Sequence, residues 1–282
     1  MDKMVQRLLH GAMAAGVETT AYLVNESRAR KPDLARDCYA ESWIPEGERA
    51  AVHRLWEGFA RTVYEHDDLV VSLRCRAVID ALAETLDIYP DAVLLTCGAG
   101  FASYPWLFNF PEVVEVDLPD MIAAKASRAS ELRDEGVLPA RSVHYIAADL
   151  TDPEQRRSVA CTTIEIAAGR PVIYLAEGFV FYLPIEDCRA TVTLGDEIPE
   201  LKRTIVTYWE ADNPVLERQR AWFREMGIPD EAAYLSRADL TTLLGDSISF
   251  SSVDDLQRRY LGSVEFEEAG DLVPEHVAVA DR

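Results

Sequence analysis

The sequence predicts an α/β protein: a mostly parallel sheet with an antiparallel edge, preceded by a helical N-terminal region. Three observations carry that reading. Residues 1 to about 90 place apolar side chains at helical spacing in "MVQRLLHGAMAAG", "AAVHRLWEGFARTVYE" and "VVSLRCRAVIDALAETL", with no strand-length run between them. From residue 91 onward, five short β-branched runs alternate with helical stretches. Two more such runs lie close together at the end of the chain.

Taken in order, the runs are "AVLLTC" (92–97), "VVEVD" (113–117), "VHYIAAD" (143–149), "PVIYLAE" (171–177) and "RTIVTYW" (203–209). Each is nearly continuous in apolar residues, as strands are when helices cover both faces of a parallel sheet. "SISFSSV" and "EHVAVAD" follow without a long helical pattern between them and are expected to pair antiparallel at the sheet edge. The chain thus divides into a helical lid or substrate region, residues 1–90, and a ligand-binding unit, residues 91–282.

A length of 282 residues is enough to bury a full core, and 49% hydrophobic residues place the chain among globular proteins. The 49 acidic and 28 basic residues leave a net charge of -21. A field of that sign repels phosphate backbones and anionic lipid, which disfavours nucleic-acid and membrane-surface partners. Cys38, Cys75, Cys97, Cys161 and Cys188 are scattered and never form Cys-x-x-Cys, so they suggest neither a disulfide framework nor a metal site. No signal peptide and no run of 18 apolar residues is visible, and a cytoplasmic location is expected.

Chemistry is expected beyond the carboxyl ends of the strands, where open α/β sheets bind ligands. The first run ends in a turn carrying Gly98 and Gly100, which bends tightly and admits a ligand where a Cβ would block it. Ser103 stands where a dinucleotide fingerprint has its third glycine, and Gly-Lys-Ser/Thr occurs nowhere. The next three runs end in Asp117, Asp149 and Glu177-Gly178. Asp117 and Asp149 could each cap the helix that follows. Three acids at successive strand ends instead favour ligand binding. Asp117 suits a ribose diol, Asp149 an adenine amine, and an acidic crevice suits the positively charged sulfonium of S-adenosylmethionine better than the pyrophosphate of NAD.

The segments "SLRCRAVID", "CGAGFASYPWLF", "VVEVDLPDMIAAK", "YIAADLTD" and "AEGFVFYLP" resemble, in order and spacing, the successive motifs of the leucine carboxyl methyltransferase family. The resemblance runs from about Thr20 to Pro184 and is looser beyond. It implies a class I methyltransferase fold, in which a Rossmann-like sheet binds S-adenosylmethionine beneath the helical lid. Carried over residue by residue, it makes Arg74 the partner of the methionine carboxylate and Arg28 a second cation. Gly98 and Gly100, with Ala99 between them, pass under the methionine and ribose. Asp117, beside Leu118, takes the ribose hydroxyls; Asp149 and Leu150 bracket the adenine; Glu177 and Gly178 close the pocket near the sulfonium.

The acceptor implied is the carboxylate of a small metabolite, with Tyr182, Tyr208 and Trp209 expected around it. Two other readings stay open: transfer to a phenolic oxygen or activated carbon, and cofactor binding without turnover. The five histidines lie outside the strand-end motifs, and no catalytic residue is assigned. The family's usual aspartate and arginine near the glycine turn are replaced by Ala102 and Leu107. Their joint loss is what removal of a buried ion pair requires, since losing one partner would strand a charge.

Overall fold

The structure, a computed structural model, describes residues 17–210, 213–225 and 233–282, and the description below concerns those residues. The helical stretch expected at 4–16 lies outside them. Helices α1 (Val17–Arg30), α2 (Arg49–Thr62) and α3 (Asp67–Ile88) come first, with single helical turns at Pro32–Ala35 and Ala40–Trp43. The alternating part follows as β1 (Val93–Cys97), β2 (Val113–Asp117), α4 (Pro119–Asp134), β3 (Val143–Ala147), α5 (Pro153–Ala167), β4 (Val172–Ala176), α6 (Ile185–Val192) and β5 (Leu201–Trp209). Helices α7 (Pro214–Glu225) and α8 (Arg237–Leu244), strand β6 (Ile248–Ser251), helix α9 (Val253–Leu261) and strand β7 (Glu275–Asp281) complete it.

Seven strands form one sheet in the order β3-β2-β1-β4-β5-β7-β6. The first five are parallel, β7 runs antiparallel to β5, and β6 runs antiparallel to β7. The expected antiparallel pair is therefore present, with β7 inserted between β5 and the edge strand β6.

Alternation along each strand divides the core in two. Val93, Leu95 and Cys97 of β1 enter the cluster that holds Val159 of α5 and Val192 of α6, whereas Leu94 enters the cluster that holds Leu23 of α1, Phe59 of α2 and Leu73 of α3. Because both faces are covered, every residue of β1 and β4 is buried. Strand β3, at the edge, is only partly so. Removing one such core side chain, as in Leu94→Ala, costs about 2–5 kcal/mol.

Local sequence sets the helix ends that frame the ligand side of the sheet. Pro119 and Pro153 occupy first helical turns, where a missing N–H costs nothing. Asp152 caps α5 by accepting the Glu154 N–H at 2.8 Å. Ser236 with Asp239, and Ser252 with Asp255, form reciprocal capping boxes on α8 and α9. Cys75, Cys97 and Cys188 are buried, Cys38 and Cys161 are exposed, and all five are free thiols. No helix among the described residues is long and apolar enough to cross a membrane.

Candidate functional site

One cavity of about 670 Å³ lies against the turns that follow β1, β2, β3 and β4, with α1 along its other side. Its wall includes the turn Gly98–Ala102, then Asp117 and Leu118, then Ala148 to Thr151, then Glu177 to Phe179. Helix α1 contributes Thr20, Ala21, Val24, Asn25 and Arg28, and α3 contributes Arg74. Every cofactor-contacting position inferred from the sequence thus lines one space, and Tyr182 joins them.

The glycine turn is held from below. Gly98 and Ala99 donate to the Val116 carbonyl at 2.9 and 3.1 Å, and the Gly100 N–H donates to Asp117 Oδ2 at 2.8 Å. Gly98 has φ +68°, and a Cβ there would meet Phe179 Cγ at 2.2 Å. Only glycine satisfies both constraints. Beneath the turn, Lys125 Nζ donates to the Ala99 carbonyl at 3.1 Å and to Glu115 Oε1 at 2.5 Å, and both side chains are fully buried. Burial pushes the Glu115 carboxyl up to about 7 despite the neighbouring ammonium, and burial lowers Lys125.

At one end of the cavity, Glu177 is the hub of a buried ionic cluster. Its Oε1 accepts from Arg28 Nη2 and Arg74 Nε, each at 2.8 Å, and its Oε2 accepts from Arg28 Nη2 at 2.9 Å and the Tyr104 hydroxyl at 2.5 Å. Arg28 Nη1 pairs with Asp37 at 3.3 Å, and Arg74 Nη1 pairs with Glu275 at 2.6 Å. Burial alone would raise the Glu177 carboxyl, but the two guanidinium groups hold it at about 2. Burial raises Glu275, against the pull of Arg74. Gly178 leaves room for this arrangement, since a Cβ there would lie 3.1 Å from Arg74 Nη2.

At the other end, neither strand-end aspartate caps a helix. Asp117 accepts the Leu118 N–H at 2.8 Å as well as that of Gly100, and burial raises its pKa. Asp149 closes a local turn by accepting the Thr151 N–H at 2.9 Å and hydroxyl at 2.7 Å, while Asp152 does the capping. Each aspartate therefore keeps acceptor capacity on the cavity side. Leu118 is 42% exposed there, whereas Leu150 is buried.

Tyr208 and Trp209 lie elsewhere. As neighbours on β5 they point to opposite faces of the sheet, and both faces are covered. Tyr208 meets Phe250 and His276 edge-on, and Trp209 stacks on Phe181 with ring centroids 3.9 Å apart, so neither belongs to the cavity wall. Ala102 and Leu107 pack against the core cluster beside Phe110, an apolar substitute for a charge pair. Sequence reasoning missed Tyr104, Phe179, Asn25 and Glu275. Of these, Tyr104 and Phe179 lie inside the family-like segments "CGAGFASYPWLF" and "AEGFVFYLP", where neighbouring residues drew the assignment; Glu275 lies 201 positions from the arginine it meets and gave no local signal.

This strand order, with its antiparallel end and a glycine turn after β1, is the architecture of the class I S-adenosylmethionine-dependent methyltransferases. The model of the leucine carboxyl methyltransferase family matches residues 15–194, and the chain belongs to that family. A Mycolicibacterium gilvum protein called "Putative S-adenosyl-L-methionine-dependent methyltransferase" is 30% identical over 199 residues, which are 62% of this chain and 60% of that relative. Two solved structures share the fold at 15% identity: a DUF574 family protein from Streptomyces avermitilis (TM-score 0.58, covering 82% of this chain and 90% of that one) and a "putative methyltransferase" from Thermobifida fusca (TM-score 0.57, 82% and 88%). S-adenosylmethionine is the cofactor in the Mycolicibacterium gilvum relative's name. The wall fits it: two buried polar atoms on the wall, Asn25 Oδ1 and Thr96 Oγ1, have no hydrogen-bond partner among the described residues.

Proposed function

We propose that the protein transfers a methyl group from S-adenosylmethionine to a carboxylate oxygen of a small metabolite. When bound, the cofactor supplies an electrophilic methyl on a sulfonium, and the chain's task is alignment and exclusion of water. Arg74 would hold the carboxylate of the methionine end. Arg28, whose terminal nitrogens are engaged by Glu177 and Asp37, would act through Glu177 by fixing the end of β4. Asp117 would accept the ribose hydroxyls, and Asp149 and Leu150 would frame the adenine. Helices α1 to α3 would form the lid, leaving Tyr182 beside the acceptor.

The carrying observation is the kind of titratable group on the described wall: arginines, tyrosines and carboxylates. Burial drives the phenols of Tyr104 and Tyr182 upward, and Glu177 stays ionised to about pH 2, so these groups are poor bases near neutrality. An acceptor that is already an anion needs no base, and a carboxylate with a pKa near 4 meets that condition. Family membership points the same way. The test is single-turnover methyl transfer against pH on candidate acids. A rate flat from about pH 6 to 9 and a product cleaved by hydroxide are expected. A rate climbing about tenfold per pH unit with a base-stable product would make the acceptor a phenol.

A further inference from the structure

Asn25 is 1% exposed, yet it forms part of the cavity wall. Its amide nitrogen is fully spent, with Nδ2 donating to the Ala21 carbonyl at 3.2 Å and to the Phe101 carbonyl at 3.3 Å. Two carbonyl acceptors on one side fix which way the amide points, because the opposite orientation would set oxygen against oxygen. The side-chain oxygen Oδ1 is left buried and without a partner among the described residues. Such an atom destabilises the fold unless a ligand donor reaches it.

Position selects the donor. Asn25 is tied to the carbonyl of Phe101, next to Gly100 in the glycine turn, and it precedes Arg28 by three residues on the same face of α1. It therefore stands between the turn and the ionic cluster that holds Arg74. The cofactor has three kinds of strong donor: the adenine amine, the ribose hydroxyls and the α-ammonium. The first two fall to Asp149 and Asp117. An ammonium sits on the same carbon as the carboxylate, so it must lie near Arg74.

Glu177 is the obvious anion to receive that ammonium, but it is saturated. Its two oxygens already accept four contacts, from Arg28 twice, Arg74 and Tyr104, which uses the lone-pair sites of a carboxylate. We propose that Asn25 is a cofactor-binding residue whose Oδ1 accepts the α-ammonium of S-adenosylmethionine and so selects a complete amino-acid end. This rests on the orientation given under the proposed function, with the carboxylate at Arg74 and the adenine at Asp149.

The test compares two ligands by calorimetry: S-adenosylhomocysteine, and its analogue with a 3-carboxypropyl chain, identical except that the amine is replaced by hydrogen. The unmutated protein should prefer the first by roughly tenfold or more, the range of one charge-assisted hydrogen bond. Asn25→Leu should reduce that preference to about twofold or less, mainly by weakening S-adenosylhomocysteine. Because the result is a ratio, partial unfolding of the variant cancels. Asn25→Ala gives the same reading with a smaller change of volume. No preference in the unmutated protein, or an unchanged preference in both variants, overturns the assignment. Failure of both ligands to bind the unmutated protein would instead remove the cofactor orientation and this inference with it.

Discussion

Arg28 Nη2 bridges the carboxylate of Glu177, 2.8 Å from one oxygen and 2.9 Å from the other. Arg28 belongs to α1 and Glu177 follows β4, so this contact ties the helical layer to the strand ends at the cavity. Arg74 reaches the same carboxylate from α3. One acid thus locates both helices, and neutralising it should be felt in stability as well as in ligand binding.

Glu177→Gln removes one charge and leaves two buried guanidinium groups with fewer partners. A loss of about 3–5 kcal/mol is expected, a fall in melting temperature on the order of 10 °C. The pH dependence has a definite sign. The carboxyl is held at about 2, below its ordinary 4.5, so its contribution is complete above pH 4.5 and disappears as pH falls through about 2. Melting temperatures from pH 7 to 3 should therefore converge between native and variant. Parallel curves would remove Glu177 from that role.

Lys125→Met should show the opposite dependence. Glu115 lies at about 7, above its usual value, and the variant takes away the cation that holds it down. A raised acid contributes stability that is complete below about pH 4.5 and is lost as pH rises through its folded pKa. The stability deficit of Lys125→Met should be small near pH 5 and grow toward pH 8, as urea unfolding would show. Combining it with Glu115→Gln should flatten the profile. A deficit independent of pH would mean that Lys125 acts only through the Ala99 carbonyl.

Much of this site is legible in the sequence because its parts are local. Asp117, Asp149 and Glu177 each close an apolar run, and Gly98 and Gly100 follow one, so strand pattern alone brings them to one edge. The β3 run was expected to reach Asp149, but the strand stops at Ala147 because Asp149 bends the chain into its own turn with Thr151. Long-range pairing is not legible in this way. Glu275 reaches Arg74 only because β7 inserts beside β5, and Lys125 meets Glu115 and the Ala99 carbonyl only because α4 packs against β2 under the glycine turn, where both charges are fully buried. Tyr208 and Trp209 mislead for the converse reason: an aromatic pair at a strand end looks like a pocket wall, yet alternation sends each into a separate core cluster.

Arg74→Lys separates grip from charge. Lysine keeps the cation but cannot offer the planar set of donors that Arg74 presents to Glu177 and Glu275. Affinity for S-adenosylmethionine should fall by roughly tenfold or more, while adenosine, which has no carboxylate, should bind nearly as before. Equal weakening of both ligands would make Arg74 a structural residue of the cluster.

Gly98 tests whether the turn or its neighbour shapes the cavity. Gly98→Ala places a methyl where Phe179 now packs, at 2.2 Å from its Cγ, and does so at φ +68°. The backbone cost is about 1–2 kcal/mol, and the clash adds to it unless the phenyl ring moves into the cavity. Gly136→Ala is the matched control, since its φ is +75° and a Cβ there meets nothing within 4 Å. Both variants should lose the backbone term, but only Gly98→Ala should also weaken S-adenosylhomocysteine, measured by titration calorimetry. Adding Phe179→Ala to Gly98→Ala removes the obstruction and keeps the strain, so binding should recover further than stability. If the double variant binds no better than Gly98→Ala, the displaced ring is not the obstacle, and the backbone path of the turn itself is what the ligand requires.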